Sequence, residues 1–199
     1  MGSAVEEDRM EDRTSSREYI ESARASLAAL SARYEQVDRI CDRLTEVLES
    51  GRKIMTCGNG GSAAEAMHLS EEMVGRYRRD RRPLAAVCLN ADPTAITCIA
   101  NDWEYTEVFA RQLEGLGQAG DAVVVLSTSG KSPTILRALE RARSLEIVTI
   151  GFLGPAGSPA EALCDAAVTA EGSMPSSHVQ EMHIVVIHAL LERFDAVFG

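Results

Sequence analysis

Between Ser15 and Glu49 apolar side chains recur at Ile20, Ala23, Leu27, Leu30, Tyr34, Val37, Cys41, Leu44 and Leu48. Steps of three and four predict one long helix, and Gly51 is a natural stop. Such an arm needs an apolar partner, either the rest of the domain or a second subunit. After Gly51 the pattern changes. KIMTCG (53–58) is a short apolar run ending in glycine, which predicts a buried strand. LAAVCL (84–89), DAVVVLSTSG (121–130), IVTIGF (147–152) and the weaker AAVTAE (166–171) read the same way. Helical periodicity fills the intervals at 62–78, 93–113 (with a break near Asn101-Asp102), 132–145 and 177–197. Alternation of this kind predicts an α/β fold with a doubly wound, five-stranded parallel sheet covered on both faces. Residues 1–14, polar and mixed in charge, read as a flexible tail. Residues 15–199 read as a single domain led by a helical arm over 15–50, with no internal repeat or linker.

Composition narrows the partners. The chain has 199 residues and a net charge of −10, with 45% hydrophobic and 25% charged residues. No basic stripe offers a surface to nucleic acid or to an anionic membrane. No apolar run reaches the length of a membrane span, and no signal-peptide core opens the chain. Five scattered cysteines without a C-x-x-C pair read as free thiols, mostly buried, and predict a reducing, cytoplasmic setting.

Two loops carry candidate chemistry. CGNGGSA follows the first strand and STSGKSP follows the third. With strand order 2-1-3-4-5 these strands are neighbours, and both loops open into the crevice at the switch point, where α/β sheets bind ligands. Glycine lets the backbone approach an anion, and helices starting near Ser62 and Ser132 present free N–H groups. Hydroxyls of Ser127, Thr128, Ser129 and Ser132 add donors without charge, as a phosphate site in an acidic protein requires. Neither loop is a nucleotide motif. Val125 occupies the place of the first P-loop glycine, and Ala63 that of the third glycine in G-x-G-x-x-G.

His68 and Glu72, four apart, share one helix face, with Glu71 close by. Gln180 and His188 lie eight apart on the last helix and share a side, with Glu181 and His183 as nearer competitors. Two imidazoles, a carboxylate and an amide suit a divalent metal such as zinc, or equally a general acid/base pair.

The segments CGNGGSAAEAMHLSEEMVGRY, AITCIAND, VVVLSTSGKSPTIL and QEMHIVVIH together resemble the sedoheptulose-7-phosphate isomerases (phosphoheptose isomerases) of the sugar isomerase (SIS) domain superfamily. The resemblance spans nearly the whole chain and implies a flavodoxin-like SIS fold. It implies a homotetramer with sites at subunit interfaces, converting D-sedoheptulose 7-phosphate to D-glycero-D-manno-heptose 7-phosphate. It places one zinc per subunit on His68, Glu72, Gln180 and His188, with Glu72 and His188 as the acid/base pair. It assigns the substrate to Asn59, Gly60, Gly61, Glu72, Asn101, Asp102, Ser127, Thr128, Ser129, Ser132 and Gln180. Glu71 stands outside the implied set. The chain departs from the family pattern at Lys131, where Asn is common, and in a shorter stretch before Gln180. There an expected Arg is missing and His178 stands nearby. Two alternatives stay open: an SIS isomerase for another sugar phosphate, and a non-catalytic SIS protein that binds a protein partner.

Overall fold

The computed structural model describes residues 15–172 and 174–199, so the predicted tail at 1–14 lies outside the described residues. Among the described residues seven helices and five strands alternate: α1 (Ser16–Ser31), α2 (Tyr34–Glu49), β1 (Ile54–Gly58), α3 (Gly61–Val74), β2 (Ala86–Cys88), α4 (Pro93–Asp102), α5 (Ala110–Leu116), β3 (Ala122–Ser127), α6 (Pro133–Ser144), β4 (Val148–Pro155), β5 (Ala166–Ala170) and α7 (Ser176–Phe198). All strand pairs are parallel, in the order β2-β1-β3-β4-β5. The apolar runs explain this. β1 and β3 are buried along their whole length, as strands covered by helices on both faces must be.

Successive side chains of β3 point to opposite faces. Val124 and Leu126 join a core with α2, α3 and α7, while Val123 and Val125 join one with α4, α5 and α6. The register aligns Gly58 with Leu126 and Ser127 with Leu153. The loops after β1, β3 and β4 therefore leave the sheet side by side at its carboxyl edge.

The N-terminal arm differs from the single helix its periodicity predicts. α1 starts at a capping box, in which the Ser15 hydroxyl accepts from the Glu18 N–H and the Glu18 carboxylate accepts from the Ser15 N–H. The helix then stops at Ser31, and α2 restarts at Tyr34. The reason is tertiary. Arg33, in the break, donates to the Thr169 hydroxyl of edge strand β5, and the Gln36 side chain accepts from the Thr169 N–H. A continuous helix would draw these groups away from the sheet edge. The predicted helix at 62–78 ends earlier, at Val74, with Gly75 as its cap. The predicted break in 93–113 lies where α4 ends at Asp102, and a 3-10 turn (Tyr105–Glu107) leads into α5.

α3 and α7 run parallel and in contact. Gly61 meets Gln180, Glu65 meets His183, and His68 meets His188, in ascending order along both helices.

Candidate active site

The serine loop builds a compact pocket. A cavity of about 120 Å³ is walled by Asn59, Ser62, Ser127, Thr128, Ser129 and Ser132, closed behind by Leu126. Gly130 turns the loop with φ +61, a conformation that L side chains rarely adopt, and its N–H donates to the Ser127 hydroxyl at 3.1 Å. Ser132 is the N-cap residue of α6, yet its hydroxyl makes no capping bond. It accepts instead from the Asn59 amide at 2.9 Å, which also donates to Thr134 at 2.7 Å. The loops after β1 and β3 are thus tied together across the crevice. Tyr105 donates its hydroxyl to the Asn59 carbonyl oxygen at 3.2 Å and fixes which way that amide points. Lys131 is exposed, so the cradle's walls carry no cation.

The α3–α7 seam supplies ionisable groups. His68 Nε2 stands 3.5 Å from Glu72 Oε1, and the His68 ring meets the edge of His188 with centroids 5.4 Å apart. Tyr77 stacks on His188, at 5.8 Å and 23°. All of these groups but the exposed Glu71 are half-buried. Among the described residues, His68, Glu71 and Glu72 form one group whose ligand atoms lie within 4.8 Å of one another. Glu71, which the family pattern leaves out, therefore shares this corner.

Arg81 fixes the end of α3. Its guanidinium is fully buried and donates to the carbonyls of Glu72 at 2.7 Å and Met73 at 2.9 Å, capping the helix that carries His68 and Glu72. Its Nε pairs with buried Asp195 of α7 at 2.8 Å, and Asp195 also accepts the N–H groups of Arg78 and Arg79. Burial alone would raise the Asp195 pKa. The backbone N–H groups of Arg79 and Arg78 and the Arg81 guanidinium outweigh it and hold the carboxyl below its ordinary range.

The structure thus gathers Asn59, Ser127, Thr128, Ser129 and Ser132 in one cradle, and His68, Glu72 and His188 in one corner. Gln180 lies at the opposite end of the seam, where a Cβ on Gly61 would sit 2.0 Å from its Nε2. Asn101 and Asp102 close α4 in exposed positions, bonded to each other at 2.8 Å and outside the cradle's walls. Gly60, also exposed, turns the chain into α3 with φ +56. Three contributors escape sequence reasoning: Tyr105, Tyr77 and Arg81. Thr134 carried a signal, a hydroxyl two residues after Ser132 in the serine loop. The cysteines are free, and Cys98 alone is exposed. Burial pushes the Cys41 thiol up to about 11 and Cys164 to about 12. Among the described residues no helix is long and apolar enough to cross a membrane.

Comparison with known proteins places this architecture. The SIS domain family model matches residues 18–154. The chain is 47% identical over 153 residues to a phosphoheptose isomerase of Nitratiruptor sp., covering 77% of this chain and 81% of the relative. It is 40% identical over 190 residues to the phosphoheptose isomerase of Helicobacter pylori, covering 96% and 98%. Among solved structures, it resembles the phosphoheptose isomerase of Neisseria gonorrhoeae with a TM-score of 0.81 at 35% identity, over 90% of this chain and 95% of that one.

Proposed function

Because the chain belongs to the SIS domain family, among the phosphoheptose isomerases, we propose that it interconverts D-sedoheptulose 7-phosphate and D-glycero-D-manno-heptose 7-phosphate. At the level of reaction class it is a sugar-phosphate isomerase of the aldose–ketose type. One observation carries the finer reading. The loop after β1 contributes Asn59 to an uncharged cradle of phosphate size, and the helix that follows carries His68 and Glu72 to meet His188.

Aldose–ketose isomerisation moves one proton between C1 and C2 of the open-chain sugar and another between their oxygens. Glu72 takes the carbon-bound proton and returns it to the neighbouring carbon, since a carboxylate is basic enough to accept and acidic enough to give back. His188, its ring packed against His68 and Tyr77, handles the oxygen-bound proton. The hydroxyls of Ser127, Thr128, Ser129 and Ser132 hold the phosphate and fix the reacting end by orientation. Asn59, Gly60, Gly61, Asn101, Asp102 and Gln180 are assigned to the sugar chain.

The donors gathered at one end of the seam suit zinc: two imidazoles and a carboxylate, with His68 and Glu72 clustered and His188 beside them, while the Gln180 amide at the other end is the fourth ligand that the family resemblance implies. His68, Glu72, Gln180 and His188 would hold it. Bound there, zinc supplies a positive charge that polarises the carbonyl and stabilises an enediolate. A carboxylate that held the metal would be a weaker base, so Glu72 would serve as the base when it is not bound to zinc.

The proposed assembly is a homotetramer with its sites at subunit interfaces. Supporting it, an apolar groove of about 440 Å³ borders His68 and Glu71, lined also by Met67, Val74, Ala86 and Cys88.

Incubating the purified protein with sedoheptulose 7-phosphate should yield an aldoheptose 7-phosphate by NMR, and absence of turnover would refute the substrate. Chelation verified by metal analysis should abolish the activity and added zinc restore it. Undiminished activity without metal would refute the zinc assignment.

A further inference from the structure

Midway along the α3–α7 seam lies a buried pair that the isomerisation does not use. His183 Nδ1 faces Glu65 Oε2 at 3.6 Å, with side chains 0% and 6% exposed. Among the described residues, neither Glu65 oxygen nor His183 Nδ1 has a hydrogen-bond partner. The other ring nitrogen, Nε2, lies 3.4 Å from the Leu153 carbonyl at the end of β4. A carbonyl only accepts, so Nε2 carries the proton of that contact.

Burying such a pair is weak ground for stability, because apolar side chains of similar volume fill the space as well or better. Its best-attested use is to fix register. The location suits that use. Glu65, His68 and Glu72 occupy one stripe of α3, at i, i+3 and i+7. On α7, His183 falls between Gln180 and His188. Sliding one helix along the other would separate both rows.

We infer that Glu65 and His183 are positioning residues whose contact sets the register of α3 against α7, and with it the approach of the His68–Glu72 row to the Gln180–His188 row. The Leu153 carbonyl carries the same constraint to the cradle. The next residue, Gly154, lies so close to the serine loop that a Cβ there would sit 1.8 Å from the Thr128 carbonyl oxygen. The inference rests on the zinc-assisted reading above.

The test compares Glu65→Gln, Glu65→Leu and the double variant Glu65→Leu/His183→Phe with the unmodified chain. Zinc affinity is measured by competition with a chromophoric chelator, alongside Tm and the kinetics with sedoheptulose 7-phosphate. Glutamine keeps an N–H to face Nδ1 and should hold zinc affinity within about threefold. Leucine alone and the double variant should weaken it by about tenfold or more, with kcat falling in parallel and KM unchanged. The double variant leaves no buried polar atom of the pair unpaired and should melt at or above the temperature of the unmodified chain. Zinc affinity that follows the contact at residue 65, and not Tm, supports the inference. Unmodified affinity and kcat in the double variant, or affinity that tracks Tm across the set, overturns it. If the double variant does not fold, the Gln and Leu variants decide by the same criterion. An unmodified chain that binds zinc without turning over the sugar defeats the substrate reading and leaves the zinc series to judge the pair. A chain that binds no zinc overturns the zinc assignment and this inference with it.

Discussion

The cradle and the seam start from the same glycine loop but are built by opposite means. The cradle's donors come from two short loops on neighbouring strands, and hydrogen bonds from Asn59 to Ser132 and Thr134 lock it inside one chain. It uses hydroxyls, an amide and backbone, so its donors need no charge to work. The seam draws ionisable groups from helices about a hundred residues apart. Its parts are spread along its length, with His68, Glu72 and His188 at one end and Gln180 at the other. Binding an anion needs only oriented dipoles, which local backbone supplies. Moving protons needs groups whose spacing is held by packing, here by the contacts of α3 with α7.

The sharpest way to separate the two regions is Glu72→Gln. It keeps shape and removes the proposed base, so kcat should fall by about a thousandfold while phosphate-dependent binding stays near its original strength. Single-turnover kinetics and equilibrium binding of the substrate distinguish these. Unchanged turnover would remove Glu72 from the mechanism.

Next in size is Arg81→Leu. It leaves Asp195 buried without its cation and α3 without its cap, and should cost about 3 kcal/mol of stability, read from denaturant unfolding. The pair also predicts a pH dependence. The folded Asp195 pKa is depressed, so its contribution is complete above the unfolded value, near 4, and is lost as pH falls through the lower folded value. Asp195→Asn should therefore flatten the acid limb of the stability profile, and an unchanged limb would count against the assignment.

Opening the cradle should act on binding. Ser132→Ala combined with Thr134→Val removes both acceptors of the Asn59 amide, and should raise KM about tenfold with kcat less affected. Equal loss in both constants would mean that the loop also shapes the seam. The smallest effect belongs to Tyr105→Phe, which deletes one half-exposed hydrogen bond to Asn59 and should change KM by about two- to threefold. An effect as large as that of the cradle double variant would make Tyr105 a direct sugar contact.

Much of the architecture is legible in the sequence. The five strands, their parallel direction and the positions of both loops follow from alternating apolar runs, because burial on two faces leaves a composition that can be read locally, while the strand order came with the family's fold. The common face of His68 and Glu72 follows from helical geometry, and the assignment of Gln180 and His188 to their company came from family motifs. The break at Ala32–Arg33 did not follow, since the residues on either side continue a good helical period. What interrupts the helix is Thr169 on β5, more than 130 positions away in sequence. Glu71 was set aside on pattern and returned by geometry to the His68–Glu72 corner.

What the sequence alone determined, then, is everything with a short period: strands, helices, the glycine turn, hydroxyls next to a helix start. Only the tertiary structure decided which side chains from distant segments meet. Tyr105 reaches Asn59, Arg81 caps the carbonyl of Glu72, and Glu65 faces His183 because packing of the α3–α7 pair and of the loop before α5 places them there. No periodicity records such contacts. They depend on the relative placement of whole elements, which apolar burial selects, and a charged or aromatic side chain then finds its partner within the space that burial leaves.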